Sequence, residues 1–224
     1  MLKAITSNGA MLGIFAVVTT AVIAITYDAT APRIAEQKQR KLLSLLNDVV
    51  PADQHDNELY SNCVISNDSR LGLGKTHKIY RATRAGTPTA LAIEVTANDG
   101  YSGDIDFILG VTTSLQVTGL RVVDHKETPG LGDKIDLAVS DWALSFAGKQ
   151  YNPSKLTEFR VKKDGGQFDQ FTGATITPRA VVNAAASALR YVEENQRQLF
   201  ALPNNCAEST LPESSILTTS GETS

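Results

Sequence analysis

From Ala4 to Tyr27 the chain carries no charged residue: AITSNGAMLGIFAVVTTAVIAITY. No other stretch constrains the fold as strongly, because about 20 predominantly apolar residues span a bilayer as one helix. The core of the run is Gly9 to Tyr27, with residues 1–8 before it and the rest of the chain after it. Its threonines can return their hydroxyls to carbonyls of the same helix. A competing reading is a cleaved signal peptide, since Ala29-Thr30-Ala31 resembles a small-residue cleavage site. The run is longer than a typical signal core, and Pro32 would follow the cut, so a retained anchor is expected. Lys3 precedes the span, whereas Arg33, Lys38, Arg40 and Lys41 follow it. Taken alone, the positive-inside rule keeps the following domain in the cytoplasm.

Beyond the anchor, apolar residues at Ile34, Leu42, Leu45, Leu46 and Val49 recur with helical spacing until Pro51, which predicts a linker helix over 28–51. Residues 52–76 are polar and read as irregular. Strand signals follow in KIYRATR (Lys78 to Arg84) and TALAIEVTA (Thr89 to Ala97), joined by a turn at Ala85-Gly86. DFILGVTTSL and VTGLRVVDH give a second pair, with Gly110 and Gly119 as bulge or turn points. GYSGDI (Gly100 to Ile105) and ETPGLGDKI (Glu127 to Ile135) are glycine-rich loops. Ile135, Ala138, Val139, Trp142 and Phe146 have helical spacing that stops at Gly148. LTEFRVKK reads as a short strand, and TPRAVVNAAASALRYVEENQRQ as a strong helix. Strands followed by flanking helices predict an α+β class: one transmembrane helix, then a mixed domain with an antiparallel sheet over 52–200 and a disordered tail over 201–224.

A net charge of −3 argues against nucleic-acid binding, which calls for a basic patch. His55, His77 and His125 have no metal-ligand spacing and read as surface or loop residues. Cys63 and Cys206 form no C-x-x-C; they are open to pairing in an oxidising compartment or to remaining free.

The most informative stretch is DQFTGATITPRA, Asp169 to Ala180, where Thr172, Thr175 and Thr177 crowd ahead of Pro178. Thr177-Pro178 is a good helix start, a hydroxyl N-cap followed by proline at the first helical position. That does not explain Thr172-Gly173-Ala174-Thr175, where two small residues leave the backbone approachable. A hydroxyl, open space and a helix N-terminus together suit a phosphate, so the stretch reads either as phosphate or nucleotide binding or as a plain cap.

DQFTGAT resembles the flavinylation motif of the FMN-binding domain family, D-x-x-[S/T]-G-A-[T/S]. GYSGDI and HKETPGLGDKI resemble the same family, in the same order along the chain. With the preceding membrane helix, the chain up to about Gln198 is similar to the G subunits of the Rnf (Rsx) ion-translocating electron-transport complexes. The C subunit of the sodium-translocating NADH:quinone reductase shares the domain and ranks second; a non-redox membrane-tethered binding domain is the alternative of another class. The resemblance implies FMN held by a phosphoester to Thr175, with Asp169, Thr172, Gly173 and Ala174 as motif positions and Thr177 opening the helix. It implies a flavin transferase in maturation, other complex subunits as partners, and an inner-membrane protein with its flavin domain in the periplasm, opposite to the basic-residue signal. The flavin ring is expected against the loops that hold Gly103, Glu127, Thr128, Gly130 and Leu131. Pro129 would offer apolar contact, Gly132 close backbone approach, and Lys134 a positive charge for the reduced ring.

Overall fold

The computed structural model describes residues 2–206. The chain divides between Ser44 and Leu45. Helix α1, Leu2–Val49, makes up the first unit as far as Ser44, and its last turn belongs to the second; the helix is long and apolar enough to cross a membrane. Met11, Leu12, Ile14 and Phe15 are exposed along it, as expected of a lipid-facing segment. Threonine hydroxyls along it bond within the helix: Thr19 donates to the Phe15 carbonyl (2.9 Å) and Thr26 to that of Val22 (2.8 Å). No break separates anchor from linker helix. α1 runs on through Pro32, which removes one backbone donor, and stops short of Pro51.

The second unit is a five-stranded antiparallel meander. Its strands are β1 (Cys63–Ser66), β2 (His77–Arg84), β3 (Thr87–Ala97), β4 (Ile105–Thr112) and β5 (Val117–Asp124), paired in that order. β2 and β3 turn through Ala85 (φ 49°) and Gly86 (φ 75°), the double left-handed turn that matches strand twist in a two-residue hairpin. One face of the sheet carries Ile79, Leu91, Ile93, Phe107, Leu109 and Leu120 into a common core with Val181, Ala185, Leu189 and Val192 of helix α2, Ile176–Ala201. The last turn of α1 covers the other face, where Leu46 and Val49 are buried. Gly110 and Gly119 are paired across β4 and β5, inside the strands rather than at turns, although the register does shift just after Gly110. They make room for α1: a Cβ on Gly110 would collide with the Val49 carbonyl, and one on Gly119 would lie 3.3 Å from Val49 Cα. The Thr118 hydroxyl donates to that same carbonyl.

Four other local expectations change. Residues 52–76 contain β1, whose first residue, Cys63, is bonded to Cys206 with the Cα atoms 5.3 Å apart. The helical spacing from Ile135 to Phe146 is split into two 3-10 turns, Gly132–Ile135 and Asp141–Phe146. Asp136 and Ser140 cause the split by binding the N–H groups of Ala138 and Trp142 with their own side chains. The expected strand at 156–163 is also 3-10 structure, Pro153–Glu158 and Lys162–Asp164, apart from a single bridge between Val161 and Phe168. His77 is buried in β2 rather than lying on the surface.

Arg81, 7% exposed, reaches the C-terminal end of α2 and donates to the carbonyls of Leu199 (3.3 Å) and Leu202 (2.6 Å). A cation there satisfies orphan carbonyls and complements the helix dipole. Asn204 and the disulfide hold the next residues to β1, so the segment expected to begin a tail is packed as far as Cys206. The remainder of the expected tail, 207–224, lies outside the described residues.

Candidate functional site

The N-terminal end of α2 is built differently. The segment leading into it is pinned from behind: Trp142 Nε1 donates to the Asp169 carbonyl (2.7 Å), and Phe171 packs edge-on against the Trp142 ring with centroids 5.4 Å apart. The Ala174 N–H donates to the Phe171 carbonyl (3.2 Å), closing a turn whose third residue is Gly173, φ +84°. A type II turn requires a left-handed residue at that position, which is why glycine occupies it. Thr175 follows as the N-cap of α2 with helical angles (φ −88°, ψ −22°), and its hydroxyl makes no capping hydrogen bond.

This corrects the expected helix start. Thr177 lies inside the first turn, 1% exposed, and its hydroxyl donates to the Glu127 carboxylate instead of capping the backbone. Pro178 is the third helical residue, where its missing N–H still costs no intrahelical bond. The three threonines of the stretch therefore stand in three environments. Thr172 is exposed, Thr177 is buried and bonded, and Thr175 is half-buried with its hydroxyl uncommitted to a cap.

Thr175 lines a cavity of about 330 Å³. Of the residues expected from sequence, Glu127, Thr128, Leu131, Gly132, Gly173, Ala174 and Thr177 line it as well. Tyr101 and Ile176 complete it, and sequence alone did not single them out. Tyr101 lies within the first glycine-rich loop, but only the tertiary fold shows that this loop reaches α2. Asp169, Thr172, Gly103, Pro129, Gly130 and Lys134 are not among its lining residues. Asp169 instead pairs with Lys162 (2.5 Å), and its carbonyl anchors Trp142. Gly103 (φ +116°) and Gly130 (φ +77°) serve turns that no other residue type adopts easily. Lys134 gives its carbonyl to the Ser140 hydroxyl (2.6 Å).

The lining divides by chemistry. Tyr101, Leu131 and Ile176 are large apolar groups left 68%, 42% and 45% exposed around it, an arrangement suited to a flat apolar ligand. At the other extreme, the start of α2 presents unpaired N–H groups and the positive end of the helix dipole, which favour an anion. Gly132 permits close approach between these parts: a Cβ there would stand 2.8 Å from both Glu127 Oε2 and Thr177 Oγ1. A ligand with a planar apolar body and a phosphate matches this set, and FMN is such a ligand.

Comparison with known proteins agrees. The model of the FMN-binding domain family matches residues 100–190, which include every residue of the cavity. That of the RnfG N-terminal region matches residues 1–49. The G subunit of the ion-translocating oxidoreductase complex of Vibrio cholerae is 52% identical over 206 residues, covering 92% of this chain and 99% of that protein. Its counterpart from Pseudoalteromonas atlantica is 48% identical over 207 residues (92% and 96%), and that of Aliivibrio fischeri 49% over 207 (92% and 99%). On the strength of that identity across nearly the whole of both chains, this protein belongs to the family of G subunits of ion-translocating oxidoreductase complexes.

Proposed function

We propose that the chain is the membrane-anchored flavoprotein subunit of such a complex and carries FMN as a phosphoester on Thr175. The observation that carries this reading is the contrast among the three threonines: Thr175 alone combines a place on the cavity, the N-cap of α2 and a hydroxyl free of capping. The bound group supplies electron transfer through its flavin ring. The chain's residues supply the rest. In attachment, the Thr175 oxygen forms a bond to the flavin-side phosphorus of FAD. The pyrophosphate bond breaks, AMP leaves, and the hydroxyl proton passes to a base on the flavin transferase. The resulting phosphodiester keeps one negative charge, which the N-terminal end of α2 favours. Gly173 and Ala174 keep the approach open, while Tyr101, Leu131 and Ile176 offer apolar contact and exclude water.

The flavin domain is assigned to the periplasmic side of the inner membrane, with residues 1–8 in the cytoplasm. The Cys63–Cys206 bond supports this, because disulfides persist in oxidising compartments. The basic residues after the span oppose it by the positive-inside rule, which a disulfide-bonded domain outweighs. A reporter fused behind the domain should be active only in its periplasmic form; activity of a cytoplasm-only reporter would reverse the assignment.

Expression with and without a flavin transferase, followed by intact mass, tests the function. The expected result is a gain of one FMN, retained on denaturation, only when the transferase is present. A colourless protein of unmodified mass in its presence would favour a non-redox binding domain.

A further inference from the structure

Thr177 belongs to the cavity but not to the chemistry proposed above, and its partner is unusual. Glu127 is 4% exposed, and both carboxylate oxygens are taken by neutral donors: Oε2 by the Thr177 hydroxyl, Oε1 by the Ser102 N–H (2.9 Å). The side chain thus joins three separate segments that meet at the cavity: the loop after β3, its own loop after β5, and the first turn of α2. Two glycines are shaped around it. A Cβ on Gly100 would lie 3.0 Å from Oε1, and one on Gly132 would lie 2.8 Å from Oε2. Burying a carboxylate is a poor route to stability, since desolvation offsets most of what its hydrogen bonds return. What such a group does well is fix geometry, because leaving either oxygen unpaired is costly.

We propose that Glu127 is a positioning residue for flavin attachment. By binding Thr177 and Ser102 it locks the start of α2 against both glycine loops, so that Thr175 is presented to the transferase and Thr177 is withdrawn from it. This rests on the assignment of the flavin to Thr175. It goes further in giving Thr177 the role of a clasp rather than a ligand.

The test compares full-length wild type with Glu127→Ala, Glu127→Gln, Thr177→Val and the Glu127→Ala/Thr177→Val pair. Each is incubated with flavin transferase and FAD, and attachment rates are read by intact mass alongside circular dichroism and peptide mapping. Glu127→Ala and Thr177→Val should remain folded yet gain flavin about 10- to 100-fold more slowly, the scale expected when a reacting group is displaced by about 1 Å. Glu127→Gln, which can still accept from Ser102 and engage Thr177, should restore a rate near wild type. The double variant should be no slower than the slower single, because the Glu127–Thr177 bond is already lost in each single variant. Wild-type rates in folded Glu127→Ala or Thr177→Val, additive losses in the pair, or a Gln variant as slow as Ala would each overturn the proposal. If Glu127→Ala fails to fold, Thr177→Val and Glu127→Gln still decide it. A wild-type chain that gains no flavin mass would overturn the Thr175 assignment and this proposal together. Flavin on Thr175 at equal rates in all variants would overturn the proposal alone.

Discussion

The two ends of α2 meet opposite environments. At the C-terminal end three devices tie down the helix terminus: a buried arginine on the carbonyls of Leu199 and Leu202, an asparagine bridging to β1, and a disulfide further on. At the N-terminal end Thr175 occupies the N-cap without capping, and a cavity stands where a partner would. Orphan N–H groups of a helix are ordinarily paired. The closed end therefore serves stability, and the open end is the one proposed to take the ligand. Variants at the closed end should lower stability and spare flavin attachment, while Thr175 variants should do the reverse.

The largest expected effect is at the closed end. Replacing Cys63 and Cys206 with serine should cost about 2–5 kcal/mol in denaturant unfolding. Covalent flavin should still be gained, and loss of attachment in the folded variant would break the comparison. Arg81→Met should cost about 1.5–3 kcal/mol, the scale of hydrogen bonds to a charged group, again with attachment retained.

Acid gives an intermediate effect. Burial holds the His77 imidazole below its usual 6.5, against the opposing pull of Glu94 and Asp106. Below 6.5 the unfolded chain binds a proton that the folded chain refuses, so stability should fall as pH drops through that region towards the lowered value. The slope for one group is at most about 1.4 kcal/mol per pH unit. Asp104 titrates lower, its carboxyl held below 3.8 by hydrogen bonds from Asn98 and then Lys75, so its contribution is lost only in stronger acid. His77→Gln should flatten the slope near neutrality while leaving the covalent flavin in place. A slope unchanged in that variant would locate the proton uptake elsewhere.

The smallest effects are at the open end. Thr175→Ala should change stability by less than about 0.5 kcal/mol, since no cap bond is lost. Flavinylated protein should be more stable than unmodified protein by about 0.3–1 kcal/mol at low salt, and the gain should shrink as salt screens the phosphate from the helix dipole. A salt-independent difference would mean that the phosphate sits away from α2.

The same contrast explains what the sequence made legible. β2 to β5 were readable because they alternate or are apolar throughout, and Ala85-Gly86 marks their first hairpin. β1 was not, since four residues in a polar run carry little periodicity and Cys63 is held by a partner 143 positions away. Trp142 and Phe146 were correctly spaced for burial, yet Asp136 and Ser140 turned an expected helix into two short turns through local side-chain bonds that periodicity does not register. At the site, the motif picked out Gly173, Ala174 and Thr175, which do share a cavity. It misjudged Thr177, because a Thr-Pro pair reads the same whether its hydroxyl caps the helix or meets a glutamate 50 residues earlier. Tyr101 and Ile176 became visible only once the two glycine loops were folded against α2.

A single hydroxyl, that of Thr175, is proposed to carry the flavin. Peptide mapping by mass spectrometry of protein matured with the transferase tests this most directly, on wild type, Thr175→Ala and Thr175→Ser. One FMN is expected on the peptide containing Thr175 in wild type, none anywhere in Thr175→Ala, and modification at the same position in Thr175→Ser. Flavin persisting on Thr172 or Thr177 in folded Thr175→Ala would contradict it.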